Sequence, residues 1–366
     1  MLERLTRRTV LDFEPYEWEP SSAVIAERHG LDARDVIRFD LNTSPFPPAS
    51  WDAGVEAARL ERLPNEYFDP AYLELADLIS GYCDVSPANL VIGTGADEIL
   101  DIIVKTFLDN GDAAVIAPPT YSFHAIVTSQ IGGVVRNVPL LAPDFALDVA
   151  GVLRAAQGAK LIWICNPNSP TGNAFDRDAL MRLLDNAPCF VAIDEAYAEF
   201  YGWSAIPLVA QYPHLIVVRT MSKAFGLAGM RLGWAVAQEP VAAMLNRVRP
   251  PNSVNIVTAR VAAASLRDIP AMQSRVAAIV AEREPLADAL RALGAHVYPS
   301  VTNFLLTNWG DAATAQNVYN WLETRGMVVR NFSHHRLIPG HLRITVRAAA
   351  ENARLLAALV DWKAAQ

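Results

Sequence analysis

The sequence predicts an α/β protein: a large domain built on a mainly parallel sheet of the seven-stranded type flanked by helices, with a small α+β domain beside it. Three observations lead there. Short β-branched apolar runs alternate with helical stretches from Leu90 to Ala237, the pattern of a parallel sheet covered on both faces. Polar clusters rich in glycine and proline follow nearly every one of these runs, so strand ends supply functional groups to one crevice. Beyond Pro250 the texture changes to long helices with a few strands, a second architecture. The expected division is 1–40 as an N-terminal arm and part of the small domain, 41–248 as the large ligand-binding domain and 249–366 as the small C-terminal domain.

Composition narrows the function classes. The chain has 366 residues, 52% hydrophobic and 19% charged, ample for a large core and far from a disordered composition. A formal net charge of −8 gives no reason to expect nucleic acid or an acidic membrane as a partner. No run of about 18 apolar residues is present, so no membrane span is expected. The start, Met-Leu-Glu-Arg-Leu-Thr-Arg-Arg, has no signal-like apolar region, and a cytoplasmic location is expected. Cys83, Cys165 and Cys189 are too few and too scattered for a disulfide framework, and neither they nor the histidines show ligand spacing, so no metal is expected.

Taken in order, the arm carries a helix from Ser21 to His29 and ends in the strand-like Val36-Ile-Arg-Phe39. Asn42-Thr-Ser-Pro-Phe-Pro-Pro48 is a turn that cannot sit inside a helix. A helix through Trp51 to Leu60 precedes a loop, Pro64 to Pro70, that holds two aromatics, Tyr67 and Phe68. Another helix covers about Tyr72 to Tyr82. Strands are expected at 90–92, 113–117, 134–138, 161–164, 190–193, 215–218 and 233–237, with a helix to about Leu108 and another from near Tyr121. A long helix from about Asn255 to Arg291 meets Pro270, which forbids an unkinked continuation. Strands at 296–298, 303–306, 327–330 and 342–346, a helix at 313–325 and a last helix from Ala350 complete the chain.

The chemistry concentrates in Arg219-Thr-Met-Ser-Lys-Ala-Phe-Gly-Leu-Ala-Gly-Met-Arg231. A lysine at a strand end, partly desolvated, has a lowered pKa and can attack an aldehyde, which marks Lys223. Thr220, Ser222 and Arg231 are the hydroxyls and guanidinium that a phosphate needs. One ligand carries both an aldehyde and a phosphate: pyridoxal phosphate. Gly93-Thr-Gly-Ala-Asp-Glu98 opens a helix after a strand and reads as an anion-binding start or as a plain capped turn. Asp194, ending an apolar strand, is either the partner of a protonated ring nitrogen or a helix cap, and Tyr197 can reach the same ring edge. Tyr121 is a stacking face or a core tyrosine. Asn168 or Ser169 is a hydrogen-bonding group held rigid between two prolines. Arg343, within an apolar strand, wants a carboxylate, and Arg330 on the neighbouring strand is a second candidate for an anionic group.

Pro15-Tyr16, Asn65-Glu-Tyr67, Gly95-Ala-Asp-Glu98, Pro118-Pro-Thr-Tyr121, Asn166-Pro-Asn-Ser-Pro-Thr-Gly172, Asp194-Glu-Ala-Tyr197, Thr220-Met-Ser-Lys-Ala-Phe225, Leu227-Ala-Gly-Met-Arg231 and Leu342-Arg-Ile-Thr-Val346 stand in family order. With them the chain resembles the fold-type I pyridoxal-phosphate enzymes, aspartate-aminotransferase-like in fold, and within them the histidinol-phosphate aminotransferase branch. The resemblance covers nearly the whole chain. It implies exchange of an amino group between a small amino donor, histidinol-phosphate-like or aromatic, and a 2-oxo acid acceptor. It also implies roles. Lys223 holds the cofactor and shuttles a proton, Asp194 pairs with the pyridine nitrogen, Tyr197 meets the ring hydroxyl and Tyr121 stacks on the ring. Ala96, Asp97, Thr220, Ser222 and Arg231 hold the phosphate. Tyr67 reaches the cofactor of a neighbouring subunit, which implies a homodimer. Tyr16, Arg330 and Arg343 face the substrate, Arg343 docking its carboxylate. Ser169 stands where the family usually has asparagine, so Asn168 after a small shift, or Ser169 itself, contacts the ring hydroxyl. Ser44-Pro45 and Trp18 are further departures at the substrate mouth. Alternatives are a decarboxylase, lyase or cyclase of the same fold, akin to threonine-phosphate decarboxylase, and a non-enzymatic pyridoxal-binding sensor.

Overall fold

The apolar runs become strands whose side chains alternate between two cores. Ile162, Ile164, Val191, Ile193 and Val217 face one core; Leu161, Trp163, Ala192, Ile216 and Val218 face the other, and all are buried. Burial on both faces explains why these strands read as unbroken hydrophobic runs. Each large side chain so buried contributes roughly 1.5–3 kcal/mol. The computed structural model describes residues 2–61, 65–67 and 69–366. Pro64 and Phe68 of the expected loop lie outside the described residues.

The strands are β1 Ile37–Phe39, β2 Leu90–Gly93, β3 Ala113–Ile116, β4 Val134–Asn137, β5 Leu161–Cys165, β6 Phe190–Asp194, β7 Leu215–Thr220, β8 Gly233–Ala237, β9 His296–Val297, β10 Phe304–Asn308, β11 Met327–Phe332 and β12 His341–Thr345. Seven of them form one sheet in the order β2-β8-β7-β6-β5-β3-β4. All its pairings are parallel except those of β8, which runs against both β2 and β7. The helices Gly95–Phe107 and Glu239–Val248 cover one face through Ile99, Ile103, Val241 and Leu245. The helix Arg177–Asn186 covers the other through Leu180, Leu183 and Leu184. The second sheet has the order β1-β11-β12-β10-β9, and β1 joins it parallel to β11, Ile37 opposite Met327. The first strand of the chain therefore lies among the last ones. The residues that leave β1, Asp40 to Asn42, pass directly into the cavity between the sheets.

Several boundaries move for identifiable reasons. The long helix expected to 291 is two, Ile256–Leu266 and Ile269–Ala292, with Pro270 in the first turn of the second, where its missing N–H is harmless. The helix expected from Tyr121 begins at Phe123, which leaves Tyr121 in the preceding turn. Helices at Val149–Ala155 and Arg177–Asn186 had not been foreseen. They are short, yet Asp148 and Asp176 cap them by accepting from Gly151 and Ala179 N–H, a start signal present in the sequence. Asp194 is the last residue of β6 rather than a helix cap; the next helix, Ala198–Tyr201, starts after Tyr197.

Candidate active site

The clusters that follow β2, β5, β6 and β7 converge on one cavity of about 470 Å³. Ala96, Asp97, Tyr121, Asp194, Tyr197, Thr220, Ser222, Lys223 and Arg231 line it, and Tyr16, Arg330 and Arg343 close it from the arm and the second sheet.

One end is built to receive an anion. The helix Gly95–Phe107 starts there with its N–H groups unpaired within the helix. Arg231, in a left-handed conformation (φ 54°), directs Nη1 to Ser222 Oγ at 3.4 Å and Nη2 to Asp97 Oδ2 at 3.0 Å. A non-glycine residue so held costs of order 1–3 kcal/mol and persists only where its surroundings fix it. Thr220 Oγ1 donates to Ser222 Oγ at 3.0 Å or to the Leu232 carbonyl at 3.1 Å. Gly95 holds a φ of +80° that side-chain-bearing residues rarely adopt, and a Cβ there would press on the Arg231 guanidinium, 2.7 Å from Nη2.

The other end carries a buried acid. Asp194 is 3% exposed; its Oδ1 accepts Ala196 N–H at 3.1 Å and its Oδ2 lies 3.2 Å from His124 Nε2. His124 is fully buried and stacked on Trp163, ring centroids 5.0 Å apart, with Nδ1 unpartnered. Its ring thus fixes the orientation of the carboxylate, whose remaining lone pairs face the cavity. Beside it, Asn42 Nδ2 donates to Tyr197 Oη at 2.9 Å, which frees the phenolic hydrogen to point elsewhere. Burial pushes the Tyr197 phenol up to about 12, so it stays a hydrogen-bond donor at neutral pH. Asn42 itself is buried and left-handed (φ 53°), held by Thr345 Oγ1 and the Asn303 amide. Tyr121, between the two ends, donates to Asp97 Oδ1 at 3.0 Å.

Lys223 Nζ donates to the Leu41 carbonyl at 3.1 Å. Burial, then the positive Arg343, hold its amine down to about 8.

The mouth is basic. Arg343 Nη1 donates to Ser169 Oγ at 3.0 Å and Nη2 to the Asp40 carbonyl at 2.6 Å, while Nε has no partner. No carboxylate pairs with it among the described residues, and burial lowers its pKa. Arg330 lies 5.6 Å from the Tyr16 ring centroid and 3.5 Å from Glu19.

Two expected residues are not in this cavity. Asn168 is fully buried and spent on the turn: Oδ1 accepts from Thr120, and Nδ2 donates to the Pro119 carbonyl and Thr171 Oγ1. Ser169, the next residue, lines the cavity instead. The turn that rigidifies this pair points the serine inward, which corrects the expectation for Asn168. Tyr67 is 87% exposed and lines no part of the cavity of its own chain. Conversely, His124, Asn42 and Glu19 had not been singled out. A histidine three positions after Tyr121 on an apolar helix start was the one available signal for the first.

An anion cradle that a Cβ at Gly95 would fill, a buried carboxylate at the opposite end and a lysine with a depressed pKa between them fit a flat phosphorylated aldehyde. This donor set defines a pyridoxal-phosphate enzyme. Residues 34–359 match the sequence profile of aminotransferase class I and II. The chain belongs to that family. It is 39% identical over 365 residues to a histidinol-phosphate aminotransferase of Roseiflexus castenholzii, covering 98% of each chain. It is 34% identical to that of Thermoanaerobacter pseudethanolicus, covering 99% of each. Among solved structures, it is similar to histidinol-phosphate aminotransferase from Sinorhizobium meliloti in complex with pyridoxal 5′-phosphate (TM-score 0.89, 25% identity, 98% of each chain). Aspartate aminotransferase from Thermus thermophilus shares the fold (TM-score 0.80, 20% identity, 99% of each chain). The chain is an aminotransferase of the aspartate-aminotransferase-like fold; its cofactor is pyridoxal phosphate and its substrates are small molecules.

Proposed function

We propose that the amino donor is a small compound with one anionic group and an aromatic or heteroaromatic side chain, histidinol phosphate or an aromatic amino acid, and that a 2-oxo acid is the acceptor. One observation carries this reading: Arg343 is a half-buried guanidinium facing the cavity with no carboxylate partner among the described residues. Such a group binds a substrate carboxylate or phosphate by paired hydrogen bonds. Tyr16 and Arg330 flank it and supply an aromatic wall and a second charge.

The residues divide the work. Arg231, Ser222, Thr220, Ala96 and Asp97 would hold the phosphate, Asp194 the ring nitrogen, Tyr197 the ring hydroxyl and Tyr121 the ring face. Pyridoxal phosphate supplies an aldehyde that takes up the amine and a ring that accepts electron density from the substrate Cα. Lys223, its pKa near 8, is poised to take the proton from that Cα and return it. Asp194, oriented by His124, pairs with a protonated ring nitrogen. Arg343 orients the donor so that its Cα–H faces Lys223 rather than solvent.

The working unit is proposed as a homodimer in which Tyr67 reaches the partner's cofactor. The exposure of Tyr67 supports it, as do Leu60 and Leu73, 75% and 66% exposed on the same stretch. A cytoplasmic location is part of the proposal; among the described residues no helix is long and apolar enough to cross a membrane. A substrate panel tests the donor class. Histidinol phosphate, phenylalanine and tyrosine are compared by kcat/KM with 2-oxoglutarate as acceptor. At least one is expected to be used well and to lose about 100-fold on Arg343→Gln, a loss of about 2.7 kcal/mol. Preference for an amine without an anionic group contradicts the reading.

A further inference from the structure

Arg330 and Arg343 stand directly opposite each other on the antiparallel pair β11–β12, and both line the cavity. Like charges in register repel, so the pair needs negative charge nearby. Glu19, from the arm, supplies one carboxylate. Its Oε1 lies 3.5 Å from Arg330 Nη1 and accepts Asn331 N–H at 3.0 Å; its Oε2 accepts the Tyr319 hydroxyl at 2.8 Å. With only 10% of its side chain exposed, Glu19 is fixed in place by these donors. Arg343 has no such counter-ion among the described residues. Asp40 offers it a carbonyl only, its carboxylate being held by Arg38 at 2.5 Å. Two guanidiniums and one fixed carboxylate leave a single positive charge for a ligand.

We propose that Glu19 is a specificity-determining residue: by compensating Arg330 it sets the substrate's anion subsite to one negative charge, so that a donor with a single carboxylate is favoured over one with a doubly charged phosphate. The inference rests on the reading that Arg343 receives the donor's anionic group. A phosphate near neutral pH carries close to two charges. The second would face Glu19 in a site partly stripped of water, where like charges cost most. The rings of Tyr16 and Phe332, each within 6 Å of the Arg330 guanidinium carbon (5.6 and 5.8 Å), offer an apolar wall to the rest of such a donor.

The probes are inorganic phosphate and 3-phenylpropanoate, an unreactive aromatic carboxylate, titrated calorimetrically into the cofactor-loaded protein. The cofactor fills the other phosphate site. Glu19→Gln removes the charge while keeping the side chain's size. The expected result is phosphate binding tightened about tenfold, with 3-phenylpropanoate changed less than about threefold. In turnover the same variant lowers KM for histidinol phosphate relative to phenylalanine. Glu19→Ala, which introduces no new donor, moves phosphate in the same direction. Phosphate affinity unchanged or weakened in the Glu19 variants overturns the proposal. Failure of the underlying reading looks different: Arg343→Gln then leaves the binding of both probes untouched, whatever Glu19 does.

Discussion

Lys223 is useful only if it can lose its proton, and its surroundings decide when it does. Burial is the largest influence and Arg343 the second, with Arg231 adding to them; Asp97 and Asp194 pull the other way, and the balance lies at about 8. An exposed lysine titrates near about 10.4. In the cofactor-free protein, capture of an aldehyde by Lys223 is therefore expected to rise with pH through about 8 and to level off above it. Arg343→Met removes one of the downward influences, so the midpoint moves up. A pH–rate profile of the capture checks both, and a midpoint at the ordinary lysine value in the unaltered protein contradicts the account. Lys223, Asp194 and Arg343 were legible in the sequence because a charge at the end of an apolar strand, or inside one, is costly without a partner. His124, Asn42 and Glu19 were not, since their meaning lies in partners the local sequence does not reveal. His124 finds Asp194, Asn42 finds Tyr197, and Glu19 finds Arg330 near the other end of the chain. Between Asn168 and Ser169 the sequence could not choose, because turn geometry decides which one faces inward.

At the scale of elements, the anion cradle depends on two backbones approaching closely. Gly233 opens β8 opposite Gly93 of β2, beside the start of the helix Gly95–Phe107. A Cβ on Gly233 would lie 2.4 Å from Ala96 N and 2.5 Å from Gly95 C. Backbone atoms cannot swing aside as a side chain can, so Gly233→Ala has to displace the helix start. The expected outcome is a destabilisation of about 1–3 kcal/mol with weakened retention of the cofactor. Thermal unfolding and loss of cofactor on dialysis measure the two effects. Gly81→Ala, in a helix interior where a Cβ meets nothing within 4 Å, serves as the control. It is expected to be neutral or to stabilise by about 0.5–1 kcal/mol. Strands of the large sheet were readable because burial on both faces leaves continuous apolar runs. The short helices Val149–Ala155 and Arg177–Asn186 were not, because they are too brief for periodicity to show.

For the molecule as a whole, the arm ties the ends of the chain together. β1 pairs with β11, and the next three residues each meet a site group: Asp40 meets Arg343, Leu41 meets Lys223 and Asn42 meets Tyr197. The alternation of strands and helices made the large sheet readable, whereas the parallel pairing of β1 with β11 is a long-range contact that no local pattern encodes. Assembly is the remaining scale. If two chains share their sites through Tyr67, Tyr67→Phe weakens cofactor binding by about tenfold, a hydrogen bond to a charged group, while the sedimentation coefficient stays that of a dimer. Wild-type cofactor affinity in that variant removes Tyr67 from the site. The central claim, that this chain moves an amino group from a donor to a 2-oxo acid, is tested most directly by a single half-reaction. The cofactor-loaded protein is mixed with the preferred donor alone, and the visible absorption of the bound aldehyde cofactor is followed. The band is expected to disappear with one equivalent of deaminated product and to return only when a 2-oxo acid is added. Continuous release of carbon dioxide or ammonia from the donor, with the band persisting and no need for a 2-oxo acid, would contradict it.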